Sequence, residues 1–198
     1  MVLNDLAIRE SIERDNLIEL IDKPYAQYKE LYEASIQPAS YDLTLSRNFK
    51  KIKKQDCIYP NKTYVDFDEP CEVEDVPYVS STHEGVIIRP GEFLLGASNE
   101  IVNLPIDVGA LVSSRSSLGR MGISLVFGTW VDPGYAGNIS IQIYNASPNP
   151  VRLIEGMRVM QLIFMQLTDK SVSPYNSKYQ HSCGVVGSKS YMDFLPKE

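Results

Sequence analysis

Apolar positions along this chain follow two periods, and the change between them divides it. From residue 5 to residue 21, Leu6, Ile8, Ile12, Leu17 and Ile21 return about once per helical turn, which predicts a short N-terminal helix capped by Asn4. From about residue 36 the apolar positions alternate with polar ones, or run in short stretches cut by Gly and Pro. YDLTL, EGVIIRPGEFLLG, ALVSSRSSLGR, GISLVFGTWV, NISIQIYN and RVMQLIFMQL all read this way. Short strands with frequent turns predict a mainly β fold, a sandwich or a jelly-roll barrel.

Within NISIQIYN, Ile139, Ile141 and Ile143 alternate with Ser140, Gln142 and Tyr144. The isoleucines therefore bury one face, and Gln142 looks toward solvent, a pocket or a subunit interface. Gln161 is a lone amide inside an apolar run, and a buried amide needs a hydrogen-bond partner. Residues 46 to 80 are lysine-rich and then acidic, which reads as an insertion or arm rather than core, its FKKIKK and DFDEPCEVED runs being solvated. The chain divides into a β-barrel domain with its helix, residues 1–170, and a tail, residues 171–198, rich in Ser, Tyr, Lys and Gly. Such a tail is either a frayed end or a lid over a ligand.

Composition narrows the functions. The chain has 198 residues, 43% of them hydrophobic, enough for one domain with a sizeable core. A formal charge of -6 argues against nucleic acid or a membrane surface as partner, because both need a basic field. A local basic pocket for phosphates stays open. Cys57, Cys71 and Cys183 are odd in number and far apart, and His83 and His181 show no ligand spacing, so neither a disulfide framework nor a zinc site is expected. With no signal-type apolar core and no membrane-length run, a cytoplasmic location is expected.

Two segments carry candidate chemistry. SSRSSLGR offers the hydroxyls of Ser116 and Ser117 and the planar guanidinium of Arg120, a cradle for anionic oxygens, with Arg115 bracing the loop or reaching across a subunit boundary. VDPGYAG holds Asp132 in a Pro-Gly turn, where a fixed carboxylate can orient a water or a sugar hydroxyl, and Tyr135 offers a flat ring to a sugar or base. Taken singly, each segment is also an ordinary surface turn.

Together and in this order, IQPASYDLTL, SSRSSLGRMG, WVDPGYAGNISIQIYN, GMRVMQLIF and PYNSKYQ resemble the dCTP deaminases and their bifunctional relatives, a group homologous to the trimeric dUTPases. The resemblance runs from about residue 4 to residue 188. It implies a homotrimer of distorted jelly-roll barrels, with sites at subunit interfaces that bind a pyrimidine deoxynucleoside triphosphate. Magnesium is implied as cofactor, held mainly through the phosphates rather than by protein ligands. Residue by residue, Ser116, Ser117 and Arg120 fall on phosphate- and water-contacting positions, and Arg115 on an interface arginine. Asp132 falls on the aspartate that handles the attacking water in dUTPases and meets the deoxyribose in deaminases. Tyr135 falls under the sugar and Gln161 on the phosphate side, while Tyr175 and Lys178 fall on tail residues that close over the nucleotide. Thr129, Trp130 and Ser140 complete the implied substrate-binding set, and Thr129 departs from the common family choice.

Gln142 falls on the glutamate that deaminases use as their proton-shuttling base. An amide cannot carry a proton near neutrality, and general acid–base action is worth about 10²–10⁴ in rate. Pyrophosphate release does not need that position. On residues alone, the first expectation is therefore an enzyme that hydrolyses dUTP, or a related pyrimidine dNTP, to the monophosphate and pyrophosphate. The alternative is a dCTP deaminase in which Gln142 is a natural or engineered replacement of the base. A catalytically silent nucleotide-binding regulator comes third.

Overall fold

The computed structural model describes residues 1–21, 23–53, 69–80, 84–126 and 128–195. Cys57, His83 and parts of the two charged runs, residue 54 and residues 66–68, lie outside them. In chain order the elements are α1 (Asp5–Asp15), β1 (Ile18–Leu20), α2 (Tyr25–Glu33), β2 (Ile36–Gln37), β3 (Ser40–Thr44), β4 (Phe49–Ile52), β5 (Val73–Val76), β6 (Val86–Ile88), β7 (Phe93–Asn103) and β8 (Val108–Ser114). There follow α3 (Ser116–Arg120), β9 (Ile123–Val126), β10 (Trp130–Val131), β11 (Ala136–Asn145), β12 (Val151–Leu153), β13 (Arg158–Gln166) and a 3₁₀ turn, Ser190–Phe194. One sheet runs β5-β4-β7-β11-β9 with β1 also on β7, a second runs β10-β8-β13-β3-β2, and β12 pairs with β6 in a separate ribbon.

The mainly β expectation stands, with few helices. Among the described residues, however, the strand ladders form two open sheets and a ribbon and do not close into one barrel. The inner faces hold the core: Tyr41, Leu43, Ile88, Ala110, Ile141, Leu162 and Phe164 are each fully buried.

The N-terminal helix is shorter than its apolar spacing suggested. Asn4 caps it, its side chain accepting from the Ala7 amide, but Asn16 turns left-handed at φ 52° and ends it. Leu17 and Ile18 stay buried, now at the start of a strand on β7. The helix α2 was not expected at all, and its buried residues are two tyrosines, Tyr25 and Tyr32.

The 46–80 arm is partly core. Phe49 is 2% exposed, and β4 joins the main sheet. The lysine and acidic runs face each other across the β4–β5 pair, with Lys51–Glu74 and Lys53–Glu72 both at 3.0 Å. Such exposed pairs set register more than they stabilise.

Glu100, on β7, is a buried carboxyl at 2% exposure, and Thr44 donates to it from its amide at 2.9 Å and its hydroxyl at 2.7 Å. Burial pushes this carboxyl up to about 7, with the Thr44 bonds pulling the other way. Because the folded value is raised, the stability contributed by this group is complete below the unfolded value of 4.5 and is lost as pH rises through about 7. In urea unfolding, the wild type should therefore lose about 2–3 kcal/mol relative to Glu100→Gln between pH 5 and pH 8. A constant difference between the two proteins across that range would contradict this.

Candidate functional site

A cavity of about 550 Å³ is lined by parts of β4, β7, β8 and β11, by Cys71, by the turn around Asp132, and by the tail. That volume is typical of a small-molecule site. Phe93 and Leu95 of β7 supply apolar wall, with Ile52 at the end of β4. Trp130, Asp132 and Tyr135 line it from the turn, Ser140 and Gln142 from β11, and Tyr175 from the tail.

The turn is built by its own sequence. Val131 ladders to Ala110, then Pro133 and Gly134 reverse the chain, and the Tyr135 amide closes on the Asp132 carbonyl at 3.2 Å. Gly134 has φ 86°, and a Cβ there would meet Pro174 at 2.7 Å, so glycine is needed both for the bend and for the tail that crosses it. Asp132 is exposed at the cavity edge. Tyr135 is 8% exposed, its hydroxyl donates to the Asn138 carbonyl at 2.6 Å, and its ring lies 5.7 Å from that of Tyr175. Burial, helped by Tyr175, pushes the Tyr135 hydroxyl up to about 12, so it remains a donor at neutral pH.

Along β11 the alternation holds: Ile139, Ile141 and Ile143 are 9%, 0% and 1% exposed. Its register against β7 slips between Asn138 and Ser140. At that bulge the buried Asn138 amide donates to the carbonyls of Ser98 at 3.1 Å and Glu100 at 2.9 Å, which anchors the strand just before the cavity. Gln142, opposite Leu95, lines the cavity, and its Oε1 is buried with no hydrogen-bond partner among the described residues. A buried acceptor in this state is suited to take a hydrogen bond from a bound molecule.

The tail folds back along the turn and β11. The Tyr175 amide donates to the Pro133 carbonyl at 2.7 Å, and that of His181 to Ala136 at 2.7 Å. Gln180 clamps both sides of Tyr135, donating to the Gly134 carbonyl at 2.8 Å and accepting from the Ala136 amide at 3.1 Å. Asn138 Oδ1 accepts from Gly184, 2.9 Å away. These bonds tie the tail to the turn and β11 rather than leaving it a frayed end.

Other candidates lie away from this cavity. Ser116, Ser117 and Arg120 are exposed on α3 and are not part of its lining. Arg115, at the start of α3, lies with Nε 3.3 Å from Asp42, which Arg158 also approaches at 3.5 Å. Asp42 is fully buried, yet neither of its oxygens meets hydrogen-bond geometry, so the contact is electrostatic rather than directional. Gln161 is half-buried on β13, in register between Ser113 and Asp42. Exposed Thr129 lends its carbonyl to the Val112 amide at 2.8 Å, and its side chain is not in the lining. Lys178 pairs with Asp193 of the 3₁₀ turn, and that bond raises its basicity.

No group of three or more metal-ligating side chains occurs among the described residues. Among the described residues, Asp132 is the one carboxylate in the cavity lining, whereas a magnesium ion takes about six oxygens. The residues present do not make a magnesium cage.

Several contributors escaped the sequence reading. Phe93 and Leu95 read simply as strand, and nothing local tells that they oppose Tyr144 and Gln142 across a ladder. Tyr179, also in the lining, sits in the quoted PYNSKYQ beside Gln180, but a tail tyrosine has no periodic signal.

A family model described as dCTP deaminase-like matches residues 2–167. A protein named "dCTP deaminase, dUMP-forming" from Sulfurihydrogenibium sp. is 37% identical over 202 residues, covering 98% of this chain and 99% of that one. One of the same name from Dictyoglomus turgidum is 39% identical over 207 residues, covering 100% and 99%. Among solved structures, the 2'-deoxycytidine 5'-triphosphate deaminase of Agrobacterium tumefaciens matches with a TM-score of 0.56 at 22% identity, over 82% of this chain. This chain spans 47% of that protein's length, and the likeness is one of fold.

Proposed function

The chain belongs to the dCTP deaminase-like family of nucleotide-processing enzymes, and from that premise we propose that it takes dCTP and carries it toward dUMP, ammonia and pyrophosphate. The observation that carries this reading is that Asp132 and Gln142 line one cavity, with the unpartnered Oε1 of Gln142 at its wall. Relatives named as dCTP deaminases reverse the order weighed on Gln142 alone, in which dUTP hydrolysis came first. The silent regulator falls behind both, because the family is one of enzymes.

In this reading Phe93 and Leu95 exclude water around the pyrimidine, and Tyr135 backs the sugar. Gln142 hydrogen-bonds the ring edge or the attacking water, one end of its amide donating and the other accepting. It holds the water near C4 but takes no proton from it, so deamination runs slowly. Asp132 orients the sugar, and then the water that releases pyrophosphate. Magnesium arrives on the triphosphate. Ser116, Ser117 and Arg120, exposed and apart from their own chain's cavity, serve the phosphates bound by a neighbouring copy in the homotrimer that the resemblance implies. A substrate of this kind suits a cytoplasmic enzyme. No described helix is long and apolar enough to cross a membrane.

One observation favours a second reading, direct hydrolysis of dUTP: Gln142 has no titratable proton, while Asp132 retains its carboxylate. A crystal structure with bound dCTP tests the arrangement common to both. The pyrimidine is expected against Gln142, with Asp132 reaching the sugar or phosphates. Residue 142 turned away from the base would remove the proposal.

A further inference from the structure

Among the described residues, the hydrogen bond to the Asp132 carboxylate comes from Trp130, whose Nε1 donates to Oδ1 at 3.0 Å. Trp130 opens the two-residue strand β10 and Asp132 follows it directly, at the start of the Pro-Gly turn, within reach of the indole. The ring does not stand free. It lies across β8 at Gly109, where an added Cβ would sit 2.2 Å from Cζ2 and 2.5 Å from Cη2 of the indole. Gly109 has no left-handed backbone to explain it, since the glycines with positive φ are others. What it provides is room. The register pairs Trp130 with Leu111 and Val131 with Ala110, which leaves Gly109 as the next position along β8, level with Asp132. The indole therefore rests on the one residue of β8 that has no side chain to displace it, and from there its N–H reaches the carboxylate.

We propose that Trp130 is a positioning residue for Asp132, seated by Gly109, rather than a surface for the substrate. This rests on the reading that Asp132 acts on the bound nucleotide. A carboxylate at an exposed cavity edge has free rotation about χ1 and χ2, and one directional donor confines it. With Oδ1 engaged by the indole, Oδ2 is left to meet a water or a sugar hydroxyl. Sub-ångström placement of such a group decides rate far more than affinity.

The test uses the full-length chain with magnesium, follows pyrophosphate release from dCTP and from dUTP, and compares Trp130→Phe, Gly109→Ala, the double variant and Asp132→Asn. Trp130→Phe keeps a ring over Gly109 and removes only the donor. Its kcat is expected to fall about tenfold or more while KM stays within about threefold, as expected for a lost charge-assisted bond that holds a reacting group. Gly109→Ala dislodges the ring and should lower kcat similarly, and the double variant should be no slower than Gly109→Ala alone. A substrate-facing tryptophan would instead raise KM, and a merely structural one would lower the melting temperature with kcat unchanged; either result overturns the proposal. A dead Asp132→Asn beside a wild-type-like Trp130→Phe overturns it alone. An Asp132→Asn variant with full turnover, or a wild type with none, overturns the functional reading and this proposal together.

Discussion

Gln142→Glu should raise ammonia release from dCTP by about 10²–10⁴. The cavity is already shaped around this side chain: the residue opposes Leu95 on a strand anchored by the Asn138 bulge, and the two side chains differ by one atom type. What changes is the chemistry. An amide offers a donor and an acceptor but neither takes a proton from water nor returns one to N3 or the leaving amine. A carboxylate does both. The position also favours a base near neutrality, because the Oε1 it would inherit is buried and has no donor among the described residues, and desolvation raises a carboxyl. Initial rates of ammonia formation, wild type against variant, check this. An unchanged rate would mean that residue 142 does not face the reacting carbon.

Asp132→Asn should cut pyrophosphate release by about 10²-fold or more, because an amide cannot act as a general base toward water. Nucleotide binding should change by only a few-fold, since Phe93, Leu95, Tyr135 and the tail still form the walls, and the Trp130 indole can still donate to an amide oxygen. Rate and affinity are separated by pairing a pyrophosphate assay with calorimetric titration. Loss of binding in step with rate would make Asp132 an anchor rather than a reacting group.

Local chemistry made much of this legible in the sequence. The alternation in NISIQIYN gives the buried isoleucines directly, and Asn4 caps its helix as its residue type suggests. The failures have physical causes. The helical spacing ran on to Ile21, but Asn16 tolerates the left-handed conformation and stops the helix six positions after Glu10, where only tertiary pairing to β7 tells strand from helix. Phe49 is one aromatic in a lysine-rich run, so composition concealed a core residue whose place is set by the β4–β7 ladder. In α2, Tyr25 and Tyr32 carry the buried face, and tyrosines read equally well as strand.

The same division applies to the candidate site. Asp132, Tyr135, Ser140, Gln142 and Tyr175, distant by up to 43 positions, meet in one cavity because β11 and the tail run along the same turn. Ser116, Ser117 and Arg120 belong to the same motif set but lie elsewhere on the chain's surface. Motifs identify residue types; they do not carry where the fold will place them. The Trp130–Gly109 contact was equally hidden, since a strand glycine without positive φ looks like any other until the ring above it is seen.

The most direct measurement is a chromatographic product assay on the wild-type chain with magnesium, with dCTP and dUTP run side by side. Slow conversion of dCTP is expected, with ammonia and pyrophosphate released and dUMP accumulating. Consumption of dUTP with dCTP left untouched, or no turnover of either, would contradict it.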